Sequence, residues 1–84
     1  MTFKTESGSV YEVDHAKSRV RRISGTHAPT SSQGPDGEWR EFHIAFVELG
    51  YPAYFEWIPH SRKGTITSLV KEIQPDADEN TNPS

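Results

Sequence analysis

Four histidines are the first residues of this chain that could bind a metal ion or transfer a proton. His15, His27, His43 and His60 lie in different segments, and no two have the i, i+2 spacing that places two ligands on one strand face. The chain has no cysteine, which excludes a disulfide framework and a thiolate zinc site. A zinc site would need three histidines to converge from separate segments. We expect no metal, with His43 half-buried and the other three on the surface.

Side chains suited to covalent or acid–base catalysis are present, but not in catalytic patterns. No serine lies in a G-x-S-x-G turn, and no glycine-rich loop precedes a helix. The glutamates that could form a carboxylate pair are Glu41, Glu48, Glu56 and Glu72. Glutamates that alternate with apolar residues are, however, typical of a solvated sheet face. We predict that the protein is not an enzyme and has no cofactor, and an active site of carboxylates or histidines is our third hypothesis.

A basic cluster is the sharpest local feature, formed by Lys17, Arg19, Arg21 and Arg22. The first three alternate along the chain, which places them on one strand face. Small barrels bind single-stranded nucleic acid through such strands, with phosphate contacts and stacked aromatic rings. The rings that could stack here are Tyr11, Tyr51, Tyr54 and Trp57. The alternative is a charged edge strand that pairs with its acidic neighbours Glu12 and Asp14.

Aromatic residues are concentrated in one stretch, because residues 39–57 hold seven of the nine in the chain. An exposed patch of tyrosine and tryptophan would indicate a protein interface, since these residues dominate binding hot spots. We expect Tyr51 and Tyr54, beside the turn at Gly50 and Pro52, to be the exposed members. The alternative is that these rings only form a core, with Phe42, Phe46, Phe55 and one tryptophan inside.

The elements that must position these residues are strands. The pattern of apolar and turn residues predicts strands over residues 3–6, 10–13, 18–23, 38–49, 54–58 and 65–73. Gly8 provides the positive φ of the first hairpin turn, and residues 24–37 form a long loop. These elements predict an all-β fold: a small antiparallel barrel or roll of five to six strands.

Three strands leave questions of register. Val20 and Ile23 are three residues apart, so residues 18–23 form an edge strand, which we favour, or contain a bulge at Arg21 and Arg22. In residues 38–49, Phe42, Ile44 and Phe46 share one predicted face, which indicates a strand covered on both sides or one that curls through a barrel. In residues 65–73 the apolar positions indicate a bulge near Ser68, or a short helix that begins there.

The length of 84 residues allows one domain, which we place at residues 1–73 with a disordered acidic tail at 74–84. Residues 1–73 contain nine Lys/Arg and nine Asp/Glu, so the net charge of −3 comes from the tail. Overall acidity therefore does not exclude a polyanionic partner for the folded part. No apolar run is long enough for a membrane span or a signal peptide, which predicts a cytoplasmic protein without a membrane partner.

Four runs of sequence resemble small proteins encoded by actinobacterial phages and their hosts: TESGSVYEVD (5–14), RVRRI (19–23), GPDGEWREF (34–42) and TSLVKEI (67–73). The resemblance covers nearly all of the folded part, and it implies a phage-associated setting in a bacterial cytoplasm. It carries no assigned activity and no functional residues. Our leading hypothesis is a non-catalytic accessory protein that binds another protein, either a host factor or a sister subunit. Nucleic-acid binding by the basic cluster is the second hypothesis.

Overall fold

A closed antiparallel barrel of six strands forms the fold in the computed structural model, which describes residues 1–28, 34–58 and 64–75. The strands are β1 (Thr2–Thr5), β2 (Val10–Asp14), β3 (Arg19–Ser24), β4 (Arg40–Phe46), β5 (Pro52–Trp57) and β6 (Thr65–Gln74). Each strand pairs with the next along the chain, and β6 pairs with β1 to close the ring. The predicted all-β antiparallel barrel is confirmed.

The first three strands form an antiparallel meander. Gly8 adopts a φ of 95° in the turn between β1 and β2, a conformation that glycine reaches without steric cost. Tyr11 and Val13 are buried as the alternating pattern of β2 predicts. One turn of 3-10 helix, His15–Lys17, connects β2 to β3, and the Asp14 side chain accepts a hydrogen bond from the Lys17 amide at its start.

Strand β3 is not the edge strand that we favoured. It pairs with β2 on one side and, through Arg19 and Val20, with β4 on the other. The irregularity lies at Ile23, because Tyr11 pairs with Arg22 whereas Val10 pairs with Ser24. The edge prediction was wrong because the second neighbour of β3 is reached only after a long loop, and local sequence carries no sign of it.

Strand β4 contains a bulge that the sequence prediction missed. Phe42 pairs with Trp57 and Ile44 pairs with Glu56, so β4 has one residue more than β5 at His43. The extra residue reverses which side chains face the interior. Phe42 is buried, whereas the outward-facing Ile44 and Phe46 are exposed, so the predicted common face of these three residues is wrong. His43 is also exposed rather than half-buried.

Strand β6 is a strand throughout and not a helix. Its pairing with β5 shifts between Ile66 and Leu69, which confirms the predicted irregularity near Ser68. A second shift, against β1, lies at Lys71. Two bulges bend this long strand, so that it can pair with β5 at one end and with β1 at the other.

The core is an aromatic cluster centred on Phe55, which is fully buried. The other buried apolar side chains are Phe3, Tyr11, Val13, Val20, Phe42, Ala53, Trp57 and Val70. Phe55 stacks on Trp57 with ring centroids 5.7 Å apart and lies 5.9 Å from Phe42 and 6.1 Å from Phe3. The indole Nε1 of Trp57 donates to the Thr65 hydroxyl at 3.2 Å, so its one polar group is satisfied inside the barrel.

Several predictions from sequence fall wholly or partly outside the described residues. These are the middle of the loop at 24–37 (29–33), most of the hairpin loop at 60–64 and nearly all of the tail at 74–84. Gln74, the first residue of the predicted tail, is the last residue of β6. Among the helices of the described part of the chain, none has the length and apolarity to span a membrane.

The position of Phe55 gives a stability prediction. Phe55→Leu should lower the free energy of unfolding by roughly 1–3 kcal/mol, because it removes ring contacts at the centre of a closed core. Phe46→Leu is the matched control, since it makes the same chemical change at a side chain that is 44% exposed. Urea unfolding followed by circular dichroism would measure both. Equal losses for the two variants would contradict a core centred on Phe55.

Candidate functional site

The structure divides the basic cluster between two environments. Because β3 alternates inward and outward, Val20 and Arg22 face the interior, whereas Arg19 and Arg21 face solvent. Lys17 is exposed in the 3-10 turn before the strand. The four basic residues therefore do not form one surface. This division can be read from the sequence, because Val20 and Arg22 are two residues apart and residues two apart on a strand share a face.

Arg19 and Arg21 both lie against the indole of Trp39. Their guanidinium carbons are 4.3 Å and 4.6 Å from the ring centroid, within the range of a cation–π contact. Each also has an acidic partner: Arg19 Nε is 3.3 Å from Asp14 Oδ2, and Arg21 Nη2 is 2.6 Å from Glu12 Oε1. Two arginines and two carboxylates leave this surface without a net charge. The pairing with acidic neighbours, our alternative for this strand, is what the structure shows.

Arg22 is buried, with 4% of its side chain exposed. Its Nη1 donates to Asp36 Oδ1 at 2.8 Å, and its Nη2 donates to the His27 carbonyl. A buried charge is costly without such partners. The Asp36 carboxylate comes from the turn that follows the long loop, so Arg22 ties the end of that loop to the barrel interior.

Tyr11 lies beside Arg22 on the neighbouring strand and has an altered acidity. Burial raises the pKa of its phenol, and the positive charge of Arg22 opposes part of that rise. The Tyr11 ring stacks on Phe3 with centroids 4.9 Å apart. The neutral phenol is therefore the form that the folded barrel favours.

An apolar outer face covers the three strands β4, β5 and β6. We use this name for Ile44, Phe46, Tyr51, Tyr54, Ile66 and Leu69. Phe46 pairs with Tyr54, and Tyr54 pairs with Ile66, so these three side chains form a row across adjacent strands. Pro52 and Leu69 pair beside that row. The rings of Phe46 and Tyr51 meet edge to face at 6.4 Å.

The exposure of this face is high for apolar side chains. Phe46 is 44% exposed, Tyr51 56% and Ile66 70%, whereas Tyr54 is half-buried within the row. The sequence prediction named Tyr51 and Tyr54 but missed the aliphatic members and Phe46. Ile44 and Phe46 were assigned to one strand face with Phe42, because the alternating pattern does not show the bulge at His43.

The histidines of the described residues are scattered. His15 meets the edge of the Phe42 ring at 6.4 Å, His27 follows β3 and His43 lies at the bulge of β4. Within residues 1–28, 34–58 and 64–75, no group of three or more His, Asp or Glu side chains could hold a metal ion. His60 lies outside these ranges.

Comparisons of the chain with protein-family models, with curated proteins and with solved structures found no match.

The surface formed by Trp39, Arg19, Arg21 and their carboxylate partners gives a prediction for nucleic-acid binding. We expect a labelled single-stranded oligonucleotide to bind weakly even at low salt, because Glu12 and Asp14 neutralise the arginines that would contact phosphates. Glu12→Gln with Asp14→Asn should strengthen binding, which fluorescence anisotropy can measure. Tight, strongly salt-dependent binding by the unaltered chain would instead support the nucleic-acid hypothesis.

The raised pKa of Tyr11 gives a prediction for alkaline pH. The folded protein keeps the phenolic proton of Tyr11 at a pH where the unfolded chain loses it. The contribution of Tyr11 to the free energy of unfolding is therefore fully present below about pH 10, and it is lost as the pH rises through the folded pKa. Tyr11→Phe should reduce this fall between pH 9 and pH 11 in urea unfolding. Tyr51→Phe, at an exposed phenol, is the control. An unchanged slope in Tyr11→Phe would contradict the assignment.

Proposed function

We propose that the protein is a non-catalytic accessory protein that acts by binding another protein through the apolar outer face. The observation that carries this proposal is the row of Phe46, Tyr54 and Ile66, which lies on the outside of a barrel whose interior already holds a complete aromatic core. These side chains are not needed inside the fold. Their exposure to water is unfavourable, and a partner that covered them would recover hydrophobic free energy.

The composition of the face resembles the centre of a protein interface. At the centres of protein interfaces, aromatic residues are enriched and charged residues are depleted relative to the rest of the surface. Large contiguous apolar patches on the surface of a soluble monomer usually mark an interaction site. Because the strands β4, β5 and β6 are held by the closed barrel, the face is rigid and would lose little conformational entropy on binding.

Charge at the face favours a particular kind of partner. Glu56 pairs with Ile44 on the same side of the sheet and accepts a hydrogen bond from the Tyr54 hydroxyl at 3.3 Å, and Glu48 is exposed in the adjoining turn. A two-fold contact between identical copies would bring the exposed Glu48 side chains of both copies to one interface. We therefore propose a different protein, with an apolar contact surface bordered by lysine or arginine.

The nucleic-acid hypothesis has less support. Arg22 is inside the barrel, and Arg19 and Arg21 are paired with carboxylates. The phage-associated setting in a bacterial cytoplasm is a proposal that rests on the sequence resemblance alone, and a host factor would be a partner of the proposed kind.

Paired substitutions test the proposed interface. Phe46→Ser removes the centre of the face, and Ile23→Ser is the matched control, because Ile23 is also 44% exposed but lies on β3 away from the face. Chemical crosslinking and capture from a nuclease-treated lysate, followed by direct binding to the purified captured protein, would compare them. We expect Phe46→Ser to weaken binding by at least about tenfold, the effect of losing a hot-spot side chain, and Ile23→Ser to leave it nearly unchanged.

Two further measurements separate the possible partners. Glu48→Gln should weaken binding and reduce its salt dependence, because the partner is expected to be basic at the rim. Light scattering should show a monomer. A dimer that Phe46→Ser dissociates would replace the proposed partner with a second copy, and equal effects of Phe46→Ser and Ile23→Ser would refute the interface.

A further inference from the structure

A cavity of about 170 Å³, lined mainly by hydroxyl-bearing residues, opens at one end of the barrel. It lies where β1 ends and β6 begins. The buried polar side chains of the described residues are Thr5, Arg22 and Thr65, and all three line it. The middle of the barrel is apolar, so polarity inside the fold is confined to this end. At about 30 Å³ for each molecule, the cavity has room for roughly five or six waters.

The lining of the cavity is suited to an anion. Seven of its eleven lining residues carry a hydroxyl group, and the lining residues with ionisable nitrogen are Arg22 and His27. Among the lining residues that the structure describes, none is Asp or Glu. Hydroxyl and guanidinium groups donate hydrogen bonds to an oxyanion, and a carboxylate-free wall does not repel it.

Arg22 has hydrogen-bonding capacity that the described residues do not use. A guanidinium group carries five N–H donors. One is directed to Asp36 Oδ1 and one to the His27 carbonyl, and Asp36 is not among the lining residues. One side of the guanidinium lies against Gly25, and Arg22 also lines the cavity, which is therefore the adjacent space where an acceptor could bind. A buried guanidinium with unused donors is favourable when an acceptor occupies the adjacent space.

Hydroxyl groups hold the rim in place. The Ser68 hydroxyl donates to the Ser7 hydroxyl at 2.9 Å, and the Ser7 amide donates to the Ser68 hydroxyl at 3.1 Å. Ser7 also meets the Thr5 hydroxyl at 3.2 Å. These contacts connect the turn after β1 to the bulge of β6. The Ser68 hydroxyl proton is used within the rim, so Ser7 is the hydroxyl here that stays able to donate to a ligand, and its position is fixed before the ligand arrives.

We propose that this cavity is a binding site for a small ligand that carries an oxyanion, either a carboxylate or a phosphate group. Arg22 supplies the charge-assisted hydrogen bonds, and the Ser7 hydroxyl in the turn after β1 supplies a neutral one. The Asp36 carboxylate and the His27 carbonyl each accept one hydrogen bond from Arg22 and keep it in place, and its other N–H groups are left for the ligand. Of the residues that define the apolar outer face, Ile66 alone also lines this cavity.

Nuclear magnetic resonance titration of the full chain tests the site. Sodium phosphate and sodium acetate would be added in separate series, with sodium chloride holding the ionic strength constant. We expect saturable shifts at the amides of Ser7, Ser9 and Ser68, and no saturable shift at Ile44 or Phe46 on the outer face. Tighter binding of phosphate would identify a phosphate ligand, and tighter binding of acetate a carboxylate.

Two arginines on one strand provide the matched variants. Arg22→Met should weaken binding by at least about tenfold, since a hydrogen bond to a charged group is worth roughly 1.5–3 kcal/mol. Arg21→Met, on the outward face, should leave binding unchanged. If Arg22→Met does not fold, Ser7→Ala and Ser68→Ala should each weaken binding several-fold in the folded protein. The proposal is overturned if neither anion gives saturable shifts, if Arg21→Met weakens binding as much as Arg22→Met, or if the serine variants bind normally.

Discussion

The burial of Phe55 is the constraint on which the rest of the structure depends. Its ring meets aromatic rings from β1, β2, β4 and its own strand, so it can be covered only when those strands surround it. A chain with so few apolar residues has little else to bury. Closing the sheet into a barrel places those rings at one centre, and it also removes the free edges that an open sheet of this size would expose.

Closure requires curvature, and the bulges supply it. The extra residue at His43 bends β4 and reverses its side-chain alternation, which turns Ile44 and Phe46 outward after Phe42 has turned inward. Without that bulge, Ile44 and Phe46 would follow Phe42 into the interior, which the aromatic cluster already fills. The apolar outer face is thus a consequence of how the barrel closes. The stretch at residues 39–57 both organises the core and presents the candidate interface.

Regular alternation is what the sequence could reveal. Tyr11 and Val13 on β2, and Phe55 and Trp57 on β5, are buried as their spacing predicts, because those strands run without an inserted residue there. β3 and β4 could not be assigned in the same way. Their register depends on partners distant in the chain. At a bulge, the inserted residue also interrupts the alternation of inward and outward side chains. Much of the outer face and the irregularity of β3 at Ile23 therefore appear only in three dimensions.

Strand β6 connects the two candidate sites. Thr65 and Thr67 both line the cavity, while Ile66 between them reaches the cavity rim and also ends the apolar row on the outer face. The alternation of a single strand separates a hydroxyl-lined interior from an apolar exterior by one residue. The bulge near Ser68 then brings the next hydroxyl to the rim, where it bonds the turn after β1. The same irregularity that lets β6 close the barrel therefore also positions Ser7 at the cavity.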